Sequence, residues 1–323
     1  MIRTKLLAVS FVLLVLSFFL GCSKKDNARK VDLNKTEELT YNVIEPPEIK
    51  IGLIPEQNIR NMALRYEPLA GYLGKKLNMR VALIYLDNYG EVCDKFMYKQ
   101  LDAAFFGSFA YALTHAKSGV EPIARPDYSG ISTYRGLIIV RKDSNIKDVT
   151  DMKNKRLALV HRATYAGYLY PLYYFKQHKV LDLESFFSKV MFAGSHDKAI
   201  IAVLNGEADI AVSKDLVYER MVKENPDLEN KLIVLSASGP VPSNAFCVRK
   251  DLEPGLKKKL KNILLNLQND QKAGSVLASL GATRFIETGD KDYSNLYETI
   301  KALDIDLDTY PYYERPDMGF KKD

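Results

Sequence analysis

From about residue 48 onward, short apolar runs alternate with stretches whose apolar positions recur at helical spacing. Ile49, Ile51, Leu53 and Ile54 mark a first strand. Leu64, Leu69, Tyr72 and Leu73 fall near helical spacing within 62–77 and predict a helix. The pattern then predicts a strand over 81–86, a helix over 89–100 and a buried strand at Ala103-Ala104-Phe105-Phe106, after which Gly107-Ser108 opens a helix through His115. Further strands are predicted at 136–140, 156–160, 190–192, 210–212, 232–235 and 245–248, with helices between most of them. The remainder is helical. Leu256, Leu260, Ile263, Leu264 and Leu267 share one face of 254–267, and a helix over 274–280 stops at Gly281. Alternating elements of this kind predict an α/β protein whose sheets are mostly parallel and flanked by helices. No internal repeat interrupts the series.

The N-terminus follows different rules. Leu6 to Leu20 is an apolar run, interrupted by Ser10 and Ser17, behind Arg3 and Lys5, and its 15 residues fall short of the ~20 that a membrane-spanning helix needs. It reads as an export signal. The run ends at Gly21-Cys22, followed by the polar Ser23-Lys24-Lys25. A cysteine directly after a small residue at that boundary resembles the lipobox of bacterial lipoproteins. The resemblance implies a signal peptide over 1–21, diacylation of Cys22, and a protein lipid-anchored to the membrane and facing the periplasm or the exterior. Residues 22–47 are polar, end in Pro46-Pro47 and predict a flexible tether. The body behind it is long enough for two lobes with separate cores.

Composition narrows the function by exclusion. The net charge of +6 falls to +4 once Arg3 and Lys5 leave with the signal, and Lys257-Lys258-Lys259 fits the wet face of a helix, so no nucleic acid is expected. Cys93 and Cys247 sit among apolar residues as buried thiols do, and two cysteines leave their pairing open. His115, His161, His178 and His196 are scattered, so neither a metal nor a cofactor is expected.

Three strand-to-helix junctions carry small residues and hydroxyls: Phe106-Gly107-Ser108, with Ser108 as candidate N-cap; Ala163-Thr164-Tyr165-Ala166-Gly167; and Gly194-Ser195-His196-Asp197. In α/β folds ligands bind beyond the carboxyl ends of strands, where helix N-termini present free N–H groups and a positive dipole end. Such junctions suit a tetrahedral oxyanion, although each by itself is also what an ordinary cap looks like. Arg60, Arg125, Arg135 and Arg162 are candidate anion clamps, Arg162 being nearest the second junction. Ser108, Ser195 and His196 lack both a Gly-x-Ser-x-Gly elbow and a third member, so an enzyme is not expected.

In order and spacing the chain resembles the phosphate/phosphite/phosphonate substrate-binding proteins of ABC transporters, over about 49–286. The resemblance rests on 51–58, Tyr66-Glu67-Pro68-Leu69, 104–108, 138–144, 164–171, 192–197, 202–209, 248–252 and Leu280-Gly281. It implies a two-lobed periplasmic binding protein of type II, with one lobe formed by 48–140 plus 246–323 and the other by 141–245. Two hinge crossovers would lie near Val140-Arg141 and Asn244-Ala245. Thr164-Tyr165-Ala166-Gly167 stands where the family has Ser-Thr-Ser-Gly, and Gly194-Ser195-His196 where it has Gly-His. Asn244 occupies the place of a carboxylate that holds the amine of aminophosphonates, a second acidic position falls near Asp215, and Phe106 corresponds to an aromatic wall. The implied ligand-binding set is therefore Phe106, Ser108, Thr164, Tyr165, Ala166, His196 and Asn244. The expected ligand is a small phosphorus oxyanion, bound more tightly below neutral pH if His196 gains a proton against it. The expected partner of a monomer is an ABC permease. A ligand-sensing lipoprotein of the same fold feeding a membrane receptor or kinase, or one binding another small anion, would share this chemistry.

Overall fold

The computed structural model of the protein describes residues 46–313. The predicted signal 1–21, Cys22 and the tether up to residue 45 lie outside the described residues. β1 (Glu48–Leu53) alternates exposed and buried positions before its inner end. α1 (Ile59–Leu77) is opened by Asn58, whose side chain accepts from the Asn61 N–H, and closed by Asn78 in the left-handed conformation. β2 (Arg80–Tyr85), α2 (Glu91–Met97), β3 (Ala103–Phe106), α3 (Ser108–Ser118) and β4 (Glu121–Asp127) follow. The chain then crosses through β5 (Thr133–Tyr134) into β6 (Gly136–Arg141) and β7 (Arg156–Leu159). A π-helical turn at Tyr165–Leu169 continues into α4 (Tyr170–Gln177), and β8 (Lys189–Phe192), α5 (His196–Leu204), β9 (Ile210–Lys214), α6 (Asp215–Glu224) and β10 (Leu232–Ala237) come next. β11 (Val241–Pro242) carries the chain back to β12 (Ala245–Val248), α7 (Pro254–Leu265), α8 (Gly274–Leu280), β13 (Arg284–Glu287) and α9 (Ser294–Ala302).

The strands form two principal sheets, in the orders β13-β4-β12-β3-β1-β2 and β10-β6-β9-β7-β8. Pairing is parallel between β2, β1 and β3 and between β8, β7 and β9, where repeated βαβ units bring each strand back in the same direction. The other pairings are antiparallel, so both sheets are mixed rather than mostly parallel. The strands by which the chain enters and leaves the lobes, β4, β6, β10 and β12, all take part in these antiparallel pairings.

The predicted boundary at Val140-Arg141 moves. β6 pairs with β9 and β10, so Gly136 to Val140 belong to the second sheet and the first crossover precedes Gly136. The two crossing segments pair with each other through β5 and β11, Tyr134 opposite Val241 and Thr133 opposite Pro242. The C-terminal segment also departs from a one-lobe assignment. Lys176 on α4 donates to the Ala302 carbonyl, and the Tyr310 hydroxyl donates to the Arg162 carbonyl. β4 is absent from the pattern because Pro122 and Pro126 argue against an interior strand. A register shift between Phe246 and Cys247, opposite Pro122, accommodates the missing donor.

One face of the first sheet buries Ile49, Ile51, Leu53 and Phe105 against Leu69 and Leu73 of α1 and Leu260 and Leu264 of α7. The other face is continuous with the core of the second lobe through Phe106, Phe109, Leu157 and Ile210. Cys93 and Cys247 are both buried free thiols, and burial pushes the Cys93 thiol up to about 12.

Candidate functional site

The carboxyl ends of the parallel strands from both sheets converge on one small cavity of about 10 Å³. The first lobe contributes Ile54 and Glu56 after β1, Tyr89 after β2 and Gly107 after β3. The second contributes 163–166 after β7, His196 after β8 and Lys214 at the end of β9; Tyr134 and Asn244 enter from the crossings. Chain topology thus brings residues 188 positions apart in sequence (Glu56 and Asn244) to one point. That is room for about one water, far below the ~300–1,000 Å³ of pockets for drug-sized ligands, so a ligand enters only by displacing part of this lining.

Lys214 and Glu56 dominate its electrostatics. The Lys214 ammonium donates to Glu56 Oε1 and to Asn244 Oδ1, each at 2.9 Å, and lies 4.3 Å from the centroid of the Tyr134 ring. Both charged side chains are only 6% exposed, and their ion pair ties one lobe to the other. Burial alone would raise the Glu56 pKa, but Lys214, Arg65 and Arg220 together hold the carboxyl well below its usual range. Burial lowers the Lys214 pKa and the facing carboxylate opposes that shift. The ionised pair is the state this surrounding favours, since neutral Lys214 would leave Glu56 to the more distant Arg65, whose Nη1 is 3.6 Å from Oε2.

Around this pair three buried polar atoms have no hydrogen-bond partner: the Tyr89 hydroxyl, His196 Nδ1 and Asn244 Nδ2. All three residues line the cavity. Leaving such groups unpaired costs roughly 1–3 kcal/mol each, so their convergence marks where a ligand's oxygens belong. The π turn adds backbone donors. Its first helical bonds run from Leu169 to the Thr164 carbonyl and from Tyr170 to Tyr165, so the N–H groups of residues 165–168 have no acceptor within the turn. Glycine is required at 167: a Cβ there would lie 2.3 Å from Val160 Cβ and 2.6 Å from Thr164 Oγ1.

The structure separates the expected ligand set. Thr164, Tyr165, Ala166, His196 and Asn244 line the cavity. The Thr164 hydroxyl already donates to the His161 carbonyl at 2.6 Å, and the Tyr165 hydroxyl has Ser238 and Thr299 beside it, so Tyr165 forms wall. Phe106 is not at the cavity. Its ring packs 5.2 Å from Phe96 in the core, and the aromatic walls are Tyr89, Tyr134 and Tyr165. Ser108 is not the N-cap; Gly107 is, while Ser108 Oγ donates to the Pro242 carbonyl and pins α3 to the crossing. His196 is not poised to protonate near neutrality: burial, reinforced by Lys214 and opposed by Glu56, lowers its pKa to about 3.

None of the four proposed arginine clamps reaches the cavity. Arg60 is exposed, Arg125 pairs with Asp292, Arg135 donates to the Ser238 carbonyl, and Arg162 donates to the Tyr168 hydroxyl. Asp215 accepts from the Arg135 N–H, one residue beyond the lysine that does enter. Ser195 turns its hydroxyl to Asp197. Glu56 lies within the 51–58 stretch of the resemblance but has no role assigned there, Lys214 stands out only by its position at a strand end, and the hydrophobic pattern places Tyr89 in a helix. Among the described residues no cluster of His, Cys, Asp or Glu could hold a metal, and no helix is long and apolar enough to cross a membrane.

Two sheet-based lobes joined by paired crossings, with a donor-lined cavity between them, define a solute-binding protein of the type II periplasmic class. The match extends to a specific family: the chain belongs to the ABC transporter phosphonate periplasmic substrate-binding proteins, whose family pattern covers residues 51–293. It is thus an extracytoplasmic binding component of phosphonate- and phosphate-type ABC transporters. A probable ABC transporter phosphite-binding protein, PhnD1 of Prochlorococcus marinus, is 28% identical over 270 residues, 80% of this chain and 90% of its own. The phosphate-import protein PhnD of Mycolicibacterium smegmatis is 26% identical over 68% of this chain and 71% of its own. The solved structure of the Prochlorococcus protein in complex with methylphosphonate superposes with a TM-score of 0.72 at 26% identity, covering 80% of this chain and 99% of that one. A binding protein of a Pseudomonas aeruginosa phosphonate transporter shares the fold, with a TM-score of 0.74 at 23% identity over 79% and 86% of the two chains. These relatives are transport-binding proteins rather than enzymes.

Proposed function

We propose that the protein captures a compact, singly protonated phosphorus oxyanion, namely hydrogen phosphate, hydrogen phosphite or a hydrogen alkylphosphonate. Held to the membrane through acyl chains on Cys22, it presents this ligand as a monomer to an ABC permease. The observation that carries the reading is the convergence of three unpartnered buried groups, Tyr89, His196 and Asn244, with the Lys214 ammonium around one small cavity. With His196 in its Nδ1–H tautomer each of these groups donates, and the free N–H groups of 165–168 add to them. Glu56 is the acceptor among them, suited to a ligand hydroxyl that still carries its proton. The fully ionised sulfate has no proton to give it, so sulfate would meet the carboxylate by repulsion. Charge-assisted hydrogen bonds contribute roughly 1.5–3 kcal/mol each, so three or four of them reach the ~8 kcal/mol of a micromolar complex after ordering costs. The relatives that bind phosphite, import phosphate or hold methylphosphonate support the same ligand class.

The resident ammonium also selects. Lys214 fills the place beside Asn244, so an aminophosphonate would bring a second cation against the first. The test is calorimetry on the soluble body with phosphate, phosphite, methylphosphonate, aminoethylphosphonate and sulfate. The first three should bind, with the last two at least tenfold weaker. Preference for sulfate or for aminoethylphosphonate would overturn the assignment.

A further inference from the structure

A second group of buried donors lies outside this cavity, at the rim where the lobes meet. Arg65, on α1 of the first lobe, and Arg220, on α6 of the second, line a groove of about 600 Å³ together with Tyr128 on the crossing segment. Nη1 of Arg65 and Nη1 of Arg220 are both buried without a hydrogen-bond partner. Arg65 is held in place, since its Nη2 donates to the Leu280 carbonyl at 3.3 Å and its side chain is only 12% exposed. Among the described residues Arg220 forms no ion pair, although Glu219 and Glu224 line the same groove. The nearest carboxylate to Arg65 is Glu56, and Glu56 is already shared with Lys214. Three cations therefore rely on one carboxylate, and two guanidiniums from opposite lobes line one groove, each with an Nη1 that makes no hydrogen bond, the Arg65 one having only the 3.6 Å ion pair to Glu56.

Like charges brought together in a poorly solvated groove repel unless an anion separates them, and the planar fork of arginine matches an oxyanion edge. We infer that Arg65 and Arg220 form a second oxyanion subsite at the rim of the cleft, distinct from the Lys214 cavity. Its ligand is a small inorganic or carboxylate oxyanion. Because each lobe supplies one guanidinium, an anion there stabilises the closed arrangement. By linkage it tightens the primary ligand, and the primary ligand tightens it in return. The guanidinium fork needs no proton from its ligand, so the fully ionised sulfate that the inner cavity rejects can serve here, held on the Arg65 and Arg220 side of the groove away from Glu219 and Glu224.

Sulfate is accordingly the probe, titrated calorimetrically into wild type, Arg220→Gln, Arg220→Lys and Lys214→Met. Wild type should bind one sulfate in the millimolar range. Arg220→Gln should lose it by at least tenfold, Arg220→Lys by less, and Lys214→Met should keep it. Phosphate affinity without sulfate should fall by less in Arg220→Gln than sulfate affinity does, and saturating sulfate should raise phosphate affinity in wild type but not in that variant. Absence of sulfate binding in wild type, or unchanged binding in Arg220→Gln, overturns the subsite. Loss of phosphate and sulfate together in Arg220→Gln would make Arg220 part of the inner site and overturn its separateness. If phosphate fails to bind at all while sulfate still depends on Arg220, the rim subsite stands and the inner-site assignment falls.

Discussion

Replacing Lys214 by Met tests the centre of the site, because it removes a buried cation of similar length without altering the backbone. Glu56 Oε1 and Asn244 Oδ1 each lose their 2.9 Å donor. Removing one partner of a buried ion pair costs about 3–5 kcal/mol, because the other charge stays buried. Arg65, 3.6 Å from Oε2, remains as a weaker partner, so the lower end of that range, about 3 kcal/mol, is expected in denaturant unfolding. Ligand affinity loses a charge-assisted hydrogen bond of roughly 1.5–3 kcal/mol, about 10- to 150-fold in calorimetry with phosphate. The double variant Glu56→Gln/Lys214→Met removes both charges. It should regain most of the stability while affinity stays low, giving a coupling energy in the cycle of at least about 1 kcal/mol. Two outcomes refute the reasoning: a stability loss under about 1 kcal/mol, which would mean that no such pair forms, or tighter phosphate binding, which would make Lys214 a plug rather than a ligand-facing charge.

Tyr89→Phe and His196→Ala should each weaken phosphate binding by roughly 1–3 kcal/mol in calorimetry, whereas Thr164→Ala should cost stability and leave affinity nearly unchanged, because its hydroxyl serves the His161 carbonyl. Gly167→Ala should destabilise the fold by several kcal/mol in denaturant unfolding, since its Cβ would overlap Val160. Acid should unfold the protein early. Burial lowers His161 to about 4, with Arg162 adding to the shift, and His196 to about 3, so the unfolded chain takes up protons first as pH falls below 6.5. Each histidine then loses about 1.4 kcal/mol of stability per pH unit, or about 4 kcal/mol for the pair by pH 5 relative to pH 8, measurable by denaturant titration. A flat stability between those pH values would show that the two imidazoles are solvated. Cys22→Ser should release the protein from membranes in fractionation.

The alternating α and β elements were legible in the sequence because fully buried strands such as Leu137–Val140 and amphipathic helices such as Pro254–Leu265 write their periodicity locally, while the two-lobed arrangement came from the family resemblance. Three helix starts were legible for the same reason, and His196, Ala166 and Asn244 do meet at the cavity. What escaped was everything set by long-range pairing. β4 was hidden by its prolines until a bulge in β12 made room for them, and β6 joined the second sheet because β9 and β10 offered it partners. Phe106 and Thr164 had the right residue types but turned inward, one to Phe96 and the other to a backbone carbonyl. Glu56 and Lys214, by contrast, are 158 residues apart, and nothing near either one announces the other. A charged side chain at a strand end is ordinarily solvated. Only the closing of two lobes over both ends buried these two, and burial is what turned a surface lysine and a surface glutamate into the electrostatic centre of the site.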